Sequence, residues 1–174
     1  MEKRWELRAG KRRTRTGGRL SAKVKYVHTN LVARDWKALA GFYQTVFECT
    51  PKPPERELSG EWLDRLTSMR AAHARGIHLL LPGWGEHGPT LEIFQYSRKS
   101  ARRASGVSVP GFGHIAFSVA SPGTMLRKLE RNGGSRVGEL IRAEIAGMGR
   151  IEVVYARDPE GNVIELQRWG RTRR

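Results

Sequence analysis

Three scarcities bound this 174-residue chain before any motif is considered. There is one cysteine, Cys49, so no intrachain disulfide and no thiolate metal cluster can form. A reducing cytoplasm is the expected compartment. No apolar run approaches the ~20 residues of a membrane span, and the first residues lack the ~7–15-residue apolar segment of a secretory signal. Acidic residues are few, 17 Asp and Glu against 32 Lys and Arg, for a net charge of +15. Apolar content of 39%, with 5 Trp and 5 Phe, still suffices for a buried core and excludes disorder for most of the chain.

The excess positive charge sits at the ends. Residues 1–23 hold nine Lys or Arg against Glu2 and Glu6, and the last seven residues add four arginines, so the tails supply 11 of the 15 charges. The intervening body keeps only +4. A nucleic-acid role therefore rests on the basic tails alone, through phosphate contacts without sequence information.

What is present is a repeat. VKYVHTNLV (24–32) and GFGHIAFSV (111–119) are strand-like segments that each carry a histidine, His28 and His114. Seven residues after each comes a helix N-cap residue, Asp35 and then Ser121 followed by Pro122. Trp36, Leu39, Ala40, Tyr43 and Phe47 stripe the first predicted helix; Met125, Leu126 and Leu129 stripe the second, which Gly133 and Gly134 end. Later, GPTLEIFQY (88–96) and GNVIELQRW (161–169) each place a glutamate four residues after a glycine. The first copy carries an extra loop and a short helix over 51–69.

Side chains alternate across a strand. Leu91 and Ile93 oppose Glu92; Ile164 and Leu166 oppose Glu165. In each repeat the apolar face can pack on a helix, leaving His28, Glu92, His114 and Glu165 on reverse faces. Two imidazoles and two carboxylates suit nickel, zinc, cobalt, manganese or iron, so one divalent ion per site is expected.

With these residues in view, the chain resembles the vicinal oxygen chelate superfamily, the glyoxalase/bleomycin resistance/dioxygenase group. The motifs are His on the first strand of each repeat, Phe42–Tyr43 in the first helix, and DPEGNVIEL near the end. The resemblance implies an α+β fold of two βαβββ modules, a curled mixed sheet around a metal cavity. The organisation then reads as a basic flexible tail (1–23), first module (24–96), linker (97–112), second module (113–168) and basic C-terminal tail (169–174). Carried over by position, the ligands are His28, Glu92, His114 and Glu165.

This ligand set looks like glyoxalase I and methylmalonyl-CoA epimerase more than the dioxygenases or fosfomycin-resistance enzymes. Glutamate rather than glutamine at position 92 leans towards glyoxalase I. The implied activity is a metal-dependent lyase or isomerase that abstracts a proton beside a metal-bound carbonyl, through an enediolate. Its substrate would be a hemithioacetal, thioester or other vicinal-oxygen compound. Glu165 is the expected base, with Glu92 a ligand and second proton carrier. Alternatives on the same fold are an epimerase, an extradiol-type dioxygenase and a metal-free resistance or binding protein. HTNLV lacks the arginine that glyoxalase I commonly places after its first ligand, and EIFQYS lacks an expected asparagine.

A homodimer is expected, because module faces and edge strands need covering. His78 is expected to support a ligand or line the pocket, and His73 and His87 to be loop or strand-end residues. Phe94 and Tyr96 share Glu92's face and are the better pocket aromatics; Trp62 and Trp84 read as core or interface. Cys49 reads as an inert packed thiol.

Overall fold

The computed structural model describes residues 24–98 and 106–170. The N-terminal tail expected over 1–23, part of the expected linker and the arginines of 171–174 lie outside the described residues. Strand β1 (His28–Val32) leads into helix α1 (Trp36–Phe47), followed by β2 (Thr50–Ser59), α2 (Glu61–Thr67), β3 (His73–Leu80) and β4 (Thr90–Tyr96). The second half runs β5 (Ile115–Ser118), α3 (Pro122–Arg131), β6 (Ser135–Arg136), β7 (Ile141–Ile145), β8 (Gly149–Arg157) and β9 (Val163–Gly170).

The strands form two mixed sheets, ordered β1-β4-β3-β2 and β5-β9-β8-β6, with β7 added on β8. In each, the first strand pairs in parallel with the last, and the remaining pairs are antiparallel. This is the expected α+β repeat, and it belongs to a curled fold whose sheets stay open. Among the described residues no helix is long and apolar enough to cross a membrane.

Both helices start where the caps dictate. Asp35 accepts from the backbone N–H groups of Lys37 and Ala38 at 3.0 and 3.1 Å, and Ser121 accepts from that of Thr124 at 3.3 Å. Their apolar stripes face the sheets. Tyr43, Leu39, Val46, Leu129, Leu79, Leu91, Ile93, Ile164 and Leu166 make one core shared by both halves. Phe47 of α1 stacks on Phe117 of β5 at 4.1 Å between ring centroids. Burying a side chain of this size stabilises by about 1.5–3 kcal/mol, and stacking adds about 0.5–1.5 kcal/mol.

The turn DPEGN does more than reverse the chain. Asp158 is buried and accepts from the Tyr43 hydroxyl at 3.0 Å, from the Asn162 backbone N–H at 2.9 Å and from the Asn162 amide at 2.8 Å. Glu160 accepts from the backbone N–H groups of Arg34 and Asp35 at 2.8 and 3.1 Å. Lys128 donates to the Val46 carbonyl at 3.0 Å. Polar bonds thus tie α1 of the first half to the second half. Burial pushes the Asp158 carboxyl up against these hydrogen bonds, which pull it down. Burial, then the Asp158 charge, pushes Tyr43 up in turn, so its proton stays in the bond.

Three stretches differ from expectation. Residues 50–59 are strand rather than loop, because an edge strand tolerates prolines whose missing N–H faces outward. The ladder breaks between Lys52 and Arg56, around the cis Pro53–Pro54 bond. In the second half, IRAEI forms the extra strand β7, turned back onto β8 through Gly147 at φ 75°. Strand β9 also runs to Gly170, into the segment expected as tail.

Candidate active site

The faces turned away from α1 and α3 carry the polar residues. In the first sheet one row crosses all four strands in register: Asn30 beside Glu92, Glu92 beside His78, His78 beside Lys52. His28 lies two residues before Asn30 and so on the same face. Its Nε2 is 3.2 Å from Glu92 Oε2, and His78 Nε2 is 2.8 Å from Glu92 Oε1. The Asn30 amide donates to Glu92 Oε2 at 3.3 Å. His78 Nδ1 meets the Thr90 hydroxyl at 3.2 Å. Partial burial holds the His78 pKa down, opposed by the Glu92 charge and reinforced by Arg56, His28 and Lys52. Neutral imidazole is the form this site prefers.

The second sheet repeats the pattern. Ala116 pairs with Glu165, and Glu165 with Tyr155. His114, two residues before Ala116, brings Nε2 to 3.2 Å from Glu165 Oε2. The Tyr155 ring lies 5.2 Å from that of His114. Burial and a hydrogen bond to Glu165 push the Tyr155 hydroxyl up, so it stays protonated. Asn30, His114 and Asn162 all line a cleft of about 240 Å³ between β1 and β5. Of the four expected ligands, His114 lines this cleft.

A neutral imidazole and a carboxylate that share a cation about 2.1 Å from each stand roughly 3.0–3.4 Å apart. Both His–Glu pairs, at 3.2 Å, fit an edge of such a polyhedron. Among the described residues, however, no group of three or more His, Cys, Asp or Glu is arranged to hold a metal ion. The donors stand as two pairs rather than as one assembled set.

The family model for the glyoxalase/bleomycin resistance protein/dioxygenase superfamily matches residues 25–166. The chain belongs to this superfamily. Solved structures agree on the fold. A glyoxalase family protein from Bacillus cereus superposes with a TM-score of 0.66 at 20% identity, covering 85% of this chain and 97% of that one. A glyoxalase/bleomycin resistance protein/dioxygenase domain from Frankia sp. EAN1pec gives 0.54 at 19% identity, covering 86% and 100%. The genomically encoded fosfomycin resistance protein FosX from Listeria monocytogenes gives 0.51 at 14% identity, covering 87% and 96%. Among curated proteins none matches.

Within this superfamily fold, the four expected ligands lie on the open faces, two to each sheet. His78 supports Glu92, as its strand position suggested. Sequence reasoning passed over Tyr155, which sits beside Glu165 as His78 sits beside Glu92. Counting back from each glutamate across its turn would have found it, had the turns been equally long. His73 is at a strand end, bonded to Glu57 at 3.0 Å, and His87 is in a loop.

Phe94 is not an open pocket wall. It is buried with Leu63, Ala72 and Ala74, and partly buried Tyr96 packs on the same cluster. Helix α2 therefore roofs part of the first sheet's open face. Asp64 fastens that roof by accepting from the Ala71 and Ala72 N–H groups at 2.8 and 2.7 Å. Gly76 makes the packing possible, since a Cβ there would stand 2.5 Å from Phe94 Cδ1. Phe94 also meets the His78 ring edge-on at 6.2 Å, which buttresses it. Trp62 and Trp84 are exposed rather than in the core. Cys49 is buried, and burial pushes its thiol up to about 11, as suits an inert packed group.

Proposed function

We propose that His28, Glu92, His114 and Glu165 together hold one divalent metal ion, and that the protein is a glyoxalase I-like lyase or isomerase. One observation carries this reading: the two halves place a His–Glu pair at equivalent register and the same 3.2 Å separation. When bound, the ion would supply Lewis-acid polarisation of a substrate carbonyl.

The chain's own residues supply the rest. Glu165 takes the proton from the carbon next to that carbonyl, and the Tyr155 hydroxyl orients the carboxylate by its hydrogen bond. Glu92 is the more heavily held of the two, bonded by His78, His28 and Asn30. Three neighbours restrict its movement and leave acceptor capacity for an ion, which suits a fixed ligand and second proton carrier better than the principal base. The substrate is a small molecule with neighbouring oxygens, such as a hemithioacetal or thioester. The active form is a homodimer, to be checked by sedimentation at micromolar concentration, where monomer alone would refute it.

The test follows proton exchange at the substrate carbon in protein reconstituted with nickel, zinc, cobalt, manganese or iron, across hemithioacetals, acyl-CoA epimers and catechols. Exchange with a hemithioacetal upholds the reading. Ring opening of a catechol in its place would move the protein to the dioxygenase branch. A metal-free binding protein of the same fold is the second reading, favoured because His28 and His114 each have a carboxylate partner and no three-donor group is assembled among the described residues. Metal analysis of untagged protein separates the two.

A further inference from the structure

Beside the row that carries Glu92 lies a cavity of about 320 Å³ whose walls include Lys25, Lys52, Arg56, His78, Glu86 and His87. Its size is at the lower end for small-molecule pockets. Three permanent cations face one carboxylate, an excess of two positive charges. Lys52 is the direct cross-strand neighbour of His78, and Arg56 follows past the break in the ladder, opposite Gly76. Neither Lys52 nor Arg56 forms an ion pair among the described residues. Lys25 leans across to the His87 carbonyl at 3.4 Å, closing the far side.

We infer that this cavity binds a phosphoryl group carried by the substrate. Charge decides the class: a phosphoryl monoester carries about −1.5 to −2 at neutral pH, which matches the excess of the walls. A guanidinium and two ammonium groups are the donors such an oxyanion takes. Position decides the role. Thr90 and His78 line the cavity, and His78 also bonds Glu92, so one side chain separates the phosphoryl pocket from the candidate metal pair. A substrate anchored there would reach the open face with its reactive oxygens only a few bonds from the anchor. In the other half Tyr155 stands in place of His78, and the arginine-lined cavity there differs in charge, because its Arg142, Arg150 and Arg168 are paired with Glu152 and Glu144. The two halves thus differ in the way an asymmetric substrate requires.

The inference rests on the open face being the reactive site, and its test is made independent of the metal. Protein stripped with a chelator is titrated with methyl phosphate at low ionic strength by calorimetry, with acetate as a parallel arm. The parent, Lys52→Gln, Arg56→Gln and, as a cation outside the cavity, Arg150→Gln are compared. Methyl phosphate binding that falls by about tenfold in Lys52→Gln or Arg56→Gln, but holds in Arg150→Gln, upholds the assignment. It does so whatever the metal affinity proves to be. Binding unchanged by both cation substitutions, which would place the anion on the basic tails, overturns it. So does acetate binding as tightly as methyl phosphate, or no binding up to about 10 mM. Circular dichroism of each variant confirms that the comparison is between folded proteins.

Discussion

The two halves share a backbone plan and differ in what surrounds their glutamates. In the first, Glu92 sits between two histidines and an asparagine, α2 roofs the neighbouring face, and a basic cavity opens behind His78. In the second, Glu165 has one histidine and a tyrosine, and the neighbour of β8 beyond Tyr155 is split into β6 and β7. Where the halves agree, they supply matched His–Glu pairs. Where they differ, one carboxylate is held by three side chains and the other by one imidazole and one hydroxyl. Under the proposed function a duplicated scaffold separates holding from reacting in this way, and substitutions in each half should have unequal effects.

The largest inequality is expected at the glutamates. Glu165→Gln keeps size and a coordinating oxygen but no usable base, and should lose about 10²–10⁴-fold in proton exchange while retaining metal. Glu92→Gln should be milder. If Glu92→Gln proves the slower of the two, the roles are reversed. Next is the roof: Leu63→Ala should cost the α2 cluster about 2–4 kcal/mol. Faster hydrogen exchange confined to residues 60–72 would show it, and faster exchange in β8 and β9 would show that the roof is not local.

A smaller effect is expected where the halves are joined. Tyr43→Phe leaves Asp158 buried with one donor fewer and should lower stability by about 1–2 kcal/mol in chemical denaturation. A neutral result would mean that Asn162 and the Glu160 backbone satisfy the carboxylate. The smallest concerns Tyr155. Tyr155→Phe removes one hydrogen bond to Glu165, about 1 kcal/mol, or roughly fivefold in turnover. Unchanged turnover in Tyr155→Phe would leave Tyr155 a packing residue only.

Much of this was legible from residue spacing. His28 and His114, the caps Asp35 and Ser121, and the alternation around Glu92 and Glu165 are local signals, and the strands and helices formed where those signals pointed. The partners of the glutamates were less legible, because Tyr155 and His78 become neighbours of Glu165 and Glu92 only through antiparallel register across turns of unequal length. Residues 50–59 misled because their prolines resemble a loop until an edge strand is there to hold them. Phe94 was read correctly as sharing Glu92's face, but nothing in its own strand reveals that α2 covers it. The bonds from DPEGN to Tyr43 and Arg34 join residues more than a hundred positions apart. No spacing rule reaches that far.

The central claim is that both halves serve one metal ion, and cobalt binding tests it most directly. Chelator-stripped parent, His28→Ala and His114→Ala would each be titrated with cobalt(II) by equilibrium dialysis, with circular dichroism on the same samples. The account predicts one ion per chain in the parent and at least about tenfold weaker binding in either variant, with the fold retained. Two independent ions per chain, or binding undiminished when one of these histidines is removed, would contradict it.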